Sequence, residues 1–373
     1  MSHVLQTKVG RDLGLELPIF GFAHSIDVVC ALTEAGGMGV YGATRDTPDE
    51  IAAALKTIRQ RIGTRPFGVD LVLPRGMPAL DDRDAIEAEL PDGHRQFVRG
   101  LYEKYQVPAA TGPGMRSRFV RSEEVAARQI QAVLASDVDL FACGIGAPLA
   151  AVTRAKADGK RTLALVGSPH HARRALESGA DILVAQGHDA GAHTGPIGTF
   201  SLVPQIADLA GDVPVLAAGG VATGRHIAAA YALGAQGVWL GTVWLATREH
   251  AMQPQIVDKL LAAGSLDTVI SRANSGKTLR QVRSAWSDAW AAEDAPPPLP
   301  MPYQDILVGD LLGAIHEHEV LRRRLGRRLH PVRGAQHLPV LGRRTHRPGQ
   351  YLLRRLDAPQ AVQFGFQFGD PVL

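Results

Sequence analysis

The chain has 373 residues, 45% of them hydrophobic and 21% charged, a globular balance with enough length for one barrel-sized core or two ordinary domains. No apolar run reaches the roughly 18 residues needed to cross a bilayer, and two cysteines far apart in sequence, Cys30 and Cys143, exclude a disulfide-built scaffold. The net charge of +3 is uneven: residues 321–373 hold eleven arginines against only Asp357 and Asp370, a net +9, so the preceding 320 residues carry −6 and show no footprint for nucleic acid.

The opening stretch MSHVLQTKVGRDLGLELPIF lacks a basic segment followed by an apolar one. No secretory signal is read there, and a cytoplasmic protein is expected. Short β-branched or apolar runs bounded by glycine then recur at 17–20, 38–41, 67–71, 139–142, 162–166, 181–186, 213–218 and 237–240. Between them, 48–62, 123–136, 148–158, 169–178, 202–209 and 225–233 read as helices, several opening on proline and closing near glycine. Strand and helix in alternation imply a parallel sheet, because only a helix fits economically between parallel neighbours. Eight such strands give an α/β fold of (β/α)₈ TIM-barrel type; an open doubly wound sheet is the alternative.

Two spacings are irregular. Nearly 70 residues separate the third and fourth strands, so an excursion over the barrel mouth is expected within 73–121. After the eighth strand, 247–290 looks helical and precedes the proline run 295–302, a stiff connector. The expected organisation is a barrel over 1–246, a smaller, mainly helical cap over 247–320, and a basic tail of low regularity over 321–373. That tail is also open to reading as a nucleic-acid arm or as out-of-frame sequence.

The strongest local signal is AAGGVATGR (217–225) followed by GAQGVWLGT (234–242). Each is a strand ending in glycine, where backbone N–H groups can approach an anion with no Cβ in the way. They fall after the seventh and eighth strands, where barrel enzymes commonly bind phosphate. Tight turns without a ligand would use the same glycines. The second signal is QGHDAGAHTG (186–195), after the sixth strand. Gln186 can meet a heterocycle edge, and His193 titrates near neutrality and suits a general base. His188, Asp189 and His193 could instead ligate a metal, but a glycine-rich loop is a poor rigid scaffold and no metal is expected. The HEHE run at 316–319 alternates and so does not share a helical face. Ser275, Gly276, Lys277, Arg280 and Arg283 could reach an anionic substrate, but the preferred reading is a helix surface.

The stretch 186–242, with PIFGFAHS (18–25), EAGGMGVYGA (34–43) and FGVDLVLP (67–74), resembles the nitronate monooxygenase family, formerly nitropropane dioxygenases. The resemblance covers roughly 10–290 and implies an FMN-dependent barrel with a smaller helical domain over the active site. It implies Gly21, Phe22 and Ala23 beside the flavin ring and Asp70, where the family usually has Asn, near the phosphate or ribityl chain. It implies Gln186 at the ring, and Gly191, Gly219, Gly220 and the run Trp239, Leu240, Gly241 and Thr242 around the ribityl phosphate. His193 falls on the family's catalytic histidine. Three positions depart from the family: Ala192 replaces a glycine next to that histidine, Gly21-Phe22-Ala23 replaces Ala-Pro-Met, and a carboxylate at 70 would repel a phosphate. The expected reaction is oxidation of a nitronate or nitroalkane with O₂ to a carbonyl compound and nitrite. An NAD(P)H-dependent FMN reductase of quinones or enoyl thioesters, and a flavin-free phosphate-binding isomerase or synthase, are the alternatives. A small-molecule substrate and O₂ are the partners expected, with no nucleic acid and no membrane.

Overall fold

The computed structural model describes residues 7–318, so the basic tail lies outside the described residues. Eight strands close into a parallel barrel: β1 (Ile19–Ala23), β2 (Met38–Gly42), β3 (Gly68–Val72), β4 (Leu140–Gly144), β5 (Arg161–Val166), β6 (Ile182–Gln186), β8 (Val215–Ala218) and β9 (Gly237–Leu240). Each pairs with the next, and β9 returns to β1 through Phe20 opposite Trp239. All eight are the strands expected from the sequence, and the open-sheet alternative is excluded by that closing ladder. The two-residue strand β7 (Ala192–His193) stands apart and joins the hairpin of β10 (Thr268–Ser271) and β11 (Leu279–Val282).

The interior of the barrel is packed rather than hollow. Side chains alternate across each strand, so Phe20, Val40, Leu140, Leu163, Val184 and Leu216 fill the inside while Val28, Leu32, Leu202 and Ile206 of the surrounding helices pack on the outside. The short helix Lys8–Asp12 sends Val9 into the bottom of the inner core. Local sequence fixes the helix starts. Thr47 and Glu50 form a reciprocal capping box before Pro48–Ile62, and Ser168 caps Pro169–Glu177, with proline at the first helical position of both. The helix Ile26–Glu34 between β1 and β2 went unread in the sequence, although Ser25 caps it in the ordinary way.

The excursion after β3 folds into helices Arg83–Glu89 and Asp92–Tyr105. Val98 and Leu101 share a core with Trp286, Trp290, Val308 and Leu311, so the excursion and the chain after the barrel pack together. Asp310, in helix Tyr303–Glu317, ties them further by accepting hydrogen bonds from Ser117 Oγ at 2.5 Å and Arg83 Nη2 at 2.6 Å. The stretch 247–290, expected to be helical, is α-helical only over Pro254–Ala262 and Ala285–Trp290, with a single 3₁₀ turn at Ser265–Asp267, and otherwise carries the β10–β11 hairpin. Val269, Ile270, Val282 and the neighbouring threonine supply the β-branched residues that favour it. No helix among the described residues is long and apolar enough to cross a membrane.

Candidate active site

Strand alternation decides which side chains reach the barrel mouth. On β1, Phe22 points inward with Phe20, while Gly21 and Ala23 face the outer helices. A Cβ at Gly21 would run into Leu32 and stand 3.0 Å from Trp244 Nε1, so glycine is required there by packing. Of the three residues expected beside a flavin ring, only Phe22 therefore offers a side chain; Gly21 and Ala23 offer main chain. The same parity separates Trp239, which stacks on Phe22 at 5.9 Å between ring centroids, from Leu240, which joins the outer core. His24 meets Phe22 edge-on and its Nδ1 donates to Gly42 O at 2.7 Å.

Asp70 is an inward residue of β3, paired with Gly42 and Ala142. It is 4% exposed, and its Oδ1 has no hydrogen-bond partner among the described residues. Burial alone pushes its carboxyl up to about 7. In the barrel order, β3 lies across the mouth from β8 and β9. Asp70, expected near the phosphate or ribityl chain, thus stands across the mouth from the glycine turns that follow those two strands. An unpaired carboxyl whose folded pKa exceeds its unfolded one binds more protons when folded, so stability declines as pH rises from about 4 to 7 and stays reduced above that. The variant Asp70→Asn removes this penalty. Its urea midpoint should exceed that of the wild type at pH 8 and converge with it near pH 4; a constant gap across that range contradicts the assignment.

The glycine turns come together at one rim. Ala218 of β8 pairs with Trp239 of β9, so Gly219 and Gly220 emerge beside Gly241 and Thr242. Gly219 (φ +99°) and Gly220 (φ +72°) both occupy the left-handed region that disfavours a Cβ. A Cβ at Gly219 would lie 2.8 Å from Thr199 Oγ1 and 3.0 Å from Ala190 N, and one at Gly191 would lie 2.5 Å from Thr242 Oγ1. The loop after β6 is thus pressed directly against the two turns. Asp189 is not free to serve a metal: its Oδ2 accepts from Thr199 N at 2.8 Å, capping helix Thr199–Ala210, and that bond, the largest influence on it, lowers its pKa. The next helix, Gly224–Ala232, begins with no side-chain cap, so its first-turn amides remain available.

His193 sits above this rim on β7. Gln186 Nε2 donates to His193 O at 2.6 Å, so the glutamine expected at a ligand edge also fixes the backbone of the histidine. Across the β7–β11 pairing, His193 Nε2 lies 2.8 Å from Ser275 Oγ. His193 Nδ1 makes no hydrogen bond among the described residues. A lone pair at Nδ1 is the basic one when Nε2–H donates to Ser275. Burial foremost, then the nearby charges of Arg116, Arg121, Arg45 and Lys277, depress the imidazole to about 3. The ring is therefore neutral throughout the physiological range. Ala192 beside it has φ +61°, a conformation that costs a non-glycine residue about 1 kcal/mol, which explains why glycine is the easier residue there.

Ser275, expected on a helix surface, instead faces His193, and no local motif in the sequence signals that contact. It is fully buried in the loop before β11, where Gly276 (φ +74°) packs against the main chain of Leu299 with no room for a Cβ. Arg280 likewise turns inward, donating to His188 O at 3.0 Å, while Arg283 pairs with Asp288 at 3.3 Å. His188 is engaged locally with Gly195 O. His316 is exposed at the end of its helix, and Glu319 lies outside the described residues. Ser275→Ala removes the contact at His193 Nε2, so turnover of any substrate from which His193 were to take a proton should fall about tenfold with KM within about twofold. A change confined to KM would contradict that positioning role.

Comparison with known proteins agrees with this architecture. "Putative monooxygenase Rv1533" of Mycobacterium tuberculosis is 43% identical over 316 residues, covering 82% of this chain and 84% of that protein. A (3aS,4S,5R,7aS)-5-hydroxy-7a-methyl-1-oxo-octahydro-1H-indene-4-carboxyl-CoA dehydrogenase of the same organism is 28% identical, covering 75% and 67% respectively. The crystal structure of nitroalkane oxidase from Streptomyces ansochromogenes superposes with a TM-score of 0.68 at 27% identity, over 82% of this chain and 87% of that one. The model of the nitronate monooxygenase family matches residues 16–327, and this chain is an oxidoreductase belonging to that family.

Proposed function

We propose that the protein is an FMN-dependent monooxygenase that oxidises a nitronate or nitroalkane with O₂ to a carbonyl compound and nitrite. The observation that carries this reading is the convergence of Gly191, Gly220, Gly241 and Thr242 at one rim, with His193 above and the Phe22–Trp239 pair below. The turns after β8 and β9 would hold the ribityl phosphate through main-chain amides. Gln186 and the unpartnered carboxyl of Asp70 would meet the ring from opposite sides of the mouth. When bound, FMN supplies the two-electron acceptor and the site at which O₂ is used.

The chain's own residues then handle the substrate. His193, neutral at working pH, takes the α-proton of a nitroalkane or hydrogen-bonds a nitronate that is already an anion. Ser275 holds the imidazole by Nε2, and Gln186 holds its backbone. Nitrite release from ethyl nitronate tests the reading: catalytic production in air supports it, and a flavin-loaded protein that releases none from any nitronate overturns it. The relative that acts on a carboxyl-CoA substrate favours one second reading, an NAD(P)H-linked reductase or dehydrogenase. Anaerobic bleaching of bound flavin by NADH or NADPH distinguishes the two.

A further inference from the structure

Asp70 is the one acidic side chain turned into the barrel, and the strands on both sides leave it uncovered. Its neighbours on the inner surface are Gly42 of β2, its paired residue, and Gly144 of β4. A Cβ at Gly144 would lie 3.4 Å from both carboxyl oxygens, and one at Gly42 would lie 2.7 Å from Phe22 and from His24 Nδ1. Neither position puts a side chain over the carboxyl. Among the described residues, Asp70 is also the only barrel-strand side chain with a buried polar atom that lacks a hydrogen-bond partner. A polar group so placed calls for a ligand that can bond to it.

Its surroundings decide which form of the carboxyl that ligand meets. A carboxylate without solvent or a counter-charge is costly, and the neutral acid is the form such a site tolerates. The titratable groups on adjoining strands do not alter this. Cys143 of β4 turns into the outer core, where burial and then Asp70 hold its thiol up. Tyr41 of β2 also turns outward, and its hydroxyl is taken by Asp46. His24, after β1, is held against Gly42 O, and burial foremost lowers its imidazole below the ordinary 6.5. With no cation opposite it, Asp70 is pushed by burial up to about 7.

We infer that Asp70 acts as a neutral carboxylic acid pairing with the imide edge of the flavin ring, so that FMN binding draws one proton from solvent onto this side chain. Its O–H donates to a ring carbonyl and its C=O accepts from the ring N–H beside it; a carboxylate, with acceptors only, cannot make that pair. The Phe22–Trp239 stack serves the apolar end of the same ring. No bond of the flavin breaks, and the proton stays on the carboxyl. The inference rests on the FMN binding proposed above and is independent of the substrate oxidised.

The test is titration of the full-length protein with FMN, after bound flavin has been dialysed away, read by quenching of flavin fluorescence at pH 7, 8 and 9. The wild-type Kd should rise by about tenfold or more from pH 7 to pH 9, because the acid must be re-formed in the complex. Asp70→Asn keeps a donor and an acceptor without a titrating proton, so its Kd should stay level within about twofold. Asp70→Ala, the second variant, should bind about tenfold more weakly than Asp70→Asn at pH 7 and be equally insensitive to pH. Calorimetry at pH 8 in buffers of different ionisation enthalpy should show the wild type taking up about one proton more than either variant. The same pH dependence in all three proteins, or equal proton uptake, overturns the inference and leaves FMN binding intact. A wild type that binds no FMN at any of these pH values removes the flavin reading and this inference together. Binding that depends on pH through Asp70, in a protein that yields no nitrite, supports the inference and removes only the proposed reaction.

Discussion

Replacing His193 by Asn should reduce turnover of neutral nitroalkanes by a factor on the order of 10²–10⁴ and that of preformed nitronates far less. The difference follows from what each substrate needs. A nitroalkane must lose its α-proton, and in the proposed reaction the imidazole, neutral with its pKa depressed to about 3, would take it. A nitronate arrives deprotonated and needs only a hydrogen bond, which an amide can give. The pH profile carries the same signature. Because the folded pKa lies far below the ordinary 6.5, the base stays unprotonated from pH 5 upward, and kcat/KM for nitroethane should show no histidine-like fall between pH 8 and pH 5. The depressed pKa also means that the unfolded chain binds an extra proton between about pH 3 and 6.5, so stability is fully present above 6.5 and is lost as pH falls. Equal losses for both substrates in His193→Asn would contradict proton abstraction as its role.

Gly220→Val should weaken FMN binding by about a hundredfold, or ~2.7 kcal/mol. At φ +72° a β-branched side chain is strained by 1–2 kcal/mol. Its Cβ would also stand 3.2 Å from Asp189 Cβ, on the segment that caps helix Thr199–Ala210 and leads to His193. The strain is therefore relieved by opening the rim that would hold the phosphate. Gly211→Ala is the control: it has a similar φ of +58° but open space around it, so it should lose about 1 kcal/mol of stability and no affinity for FMN. Ultrafiltration of each protein with added FMN reads the outcome, and equal flavin loss in both would contradict a phosphate cradle at Gly220.

The barrel and the placement of its glycine turns could be read from residues alone, for identifiable reasons. The eight strands announce themselves because a buried parallel strand is a short apolar run with glycine at its exit, as in 213–220 and 237–241. The glycine turns were visible because two of them follow consecutive strands. What stayed hidden depends on parity or on distance along the chain. Nothing in IFGFA says whether Gly21 or Phe22 faces inward until the barrel register sets Phe20 opposite Trp239. Ser275 is 82 positions from His193, and only the short β7–β11 pairing brings them together. Arg116 and Arg121 look like surface arginines in the sequence, and their convergence on Asp305 requires the excursion and the last helix to share one core.

The central claim is that main-chain amides at the ends of β8 and β9 grip the phosphate of a flavin mononucleotide. The visible absorption spectrum of the purified protein, with the chromophore identified by mass after denaturation, tests it most directly. The account predicts a yellow protein that releases FMN in near-stoichiometric amount, or takes it up when it is supplied. A colourless protein that binds no FMN, or one that releases a different chromophore, would contradict it.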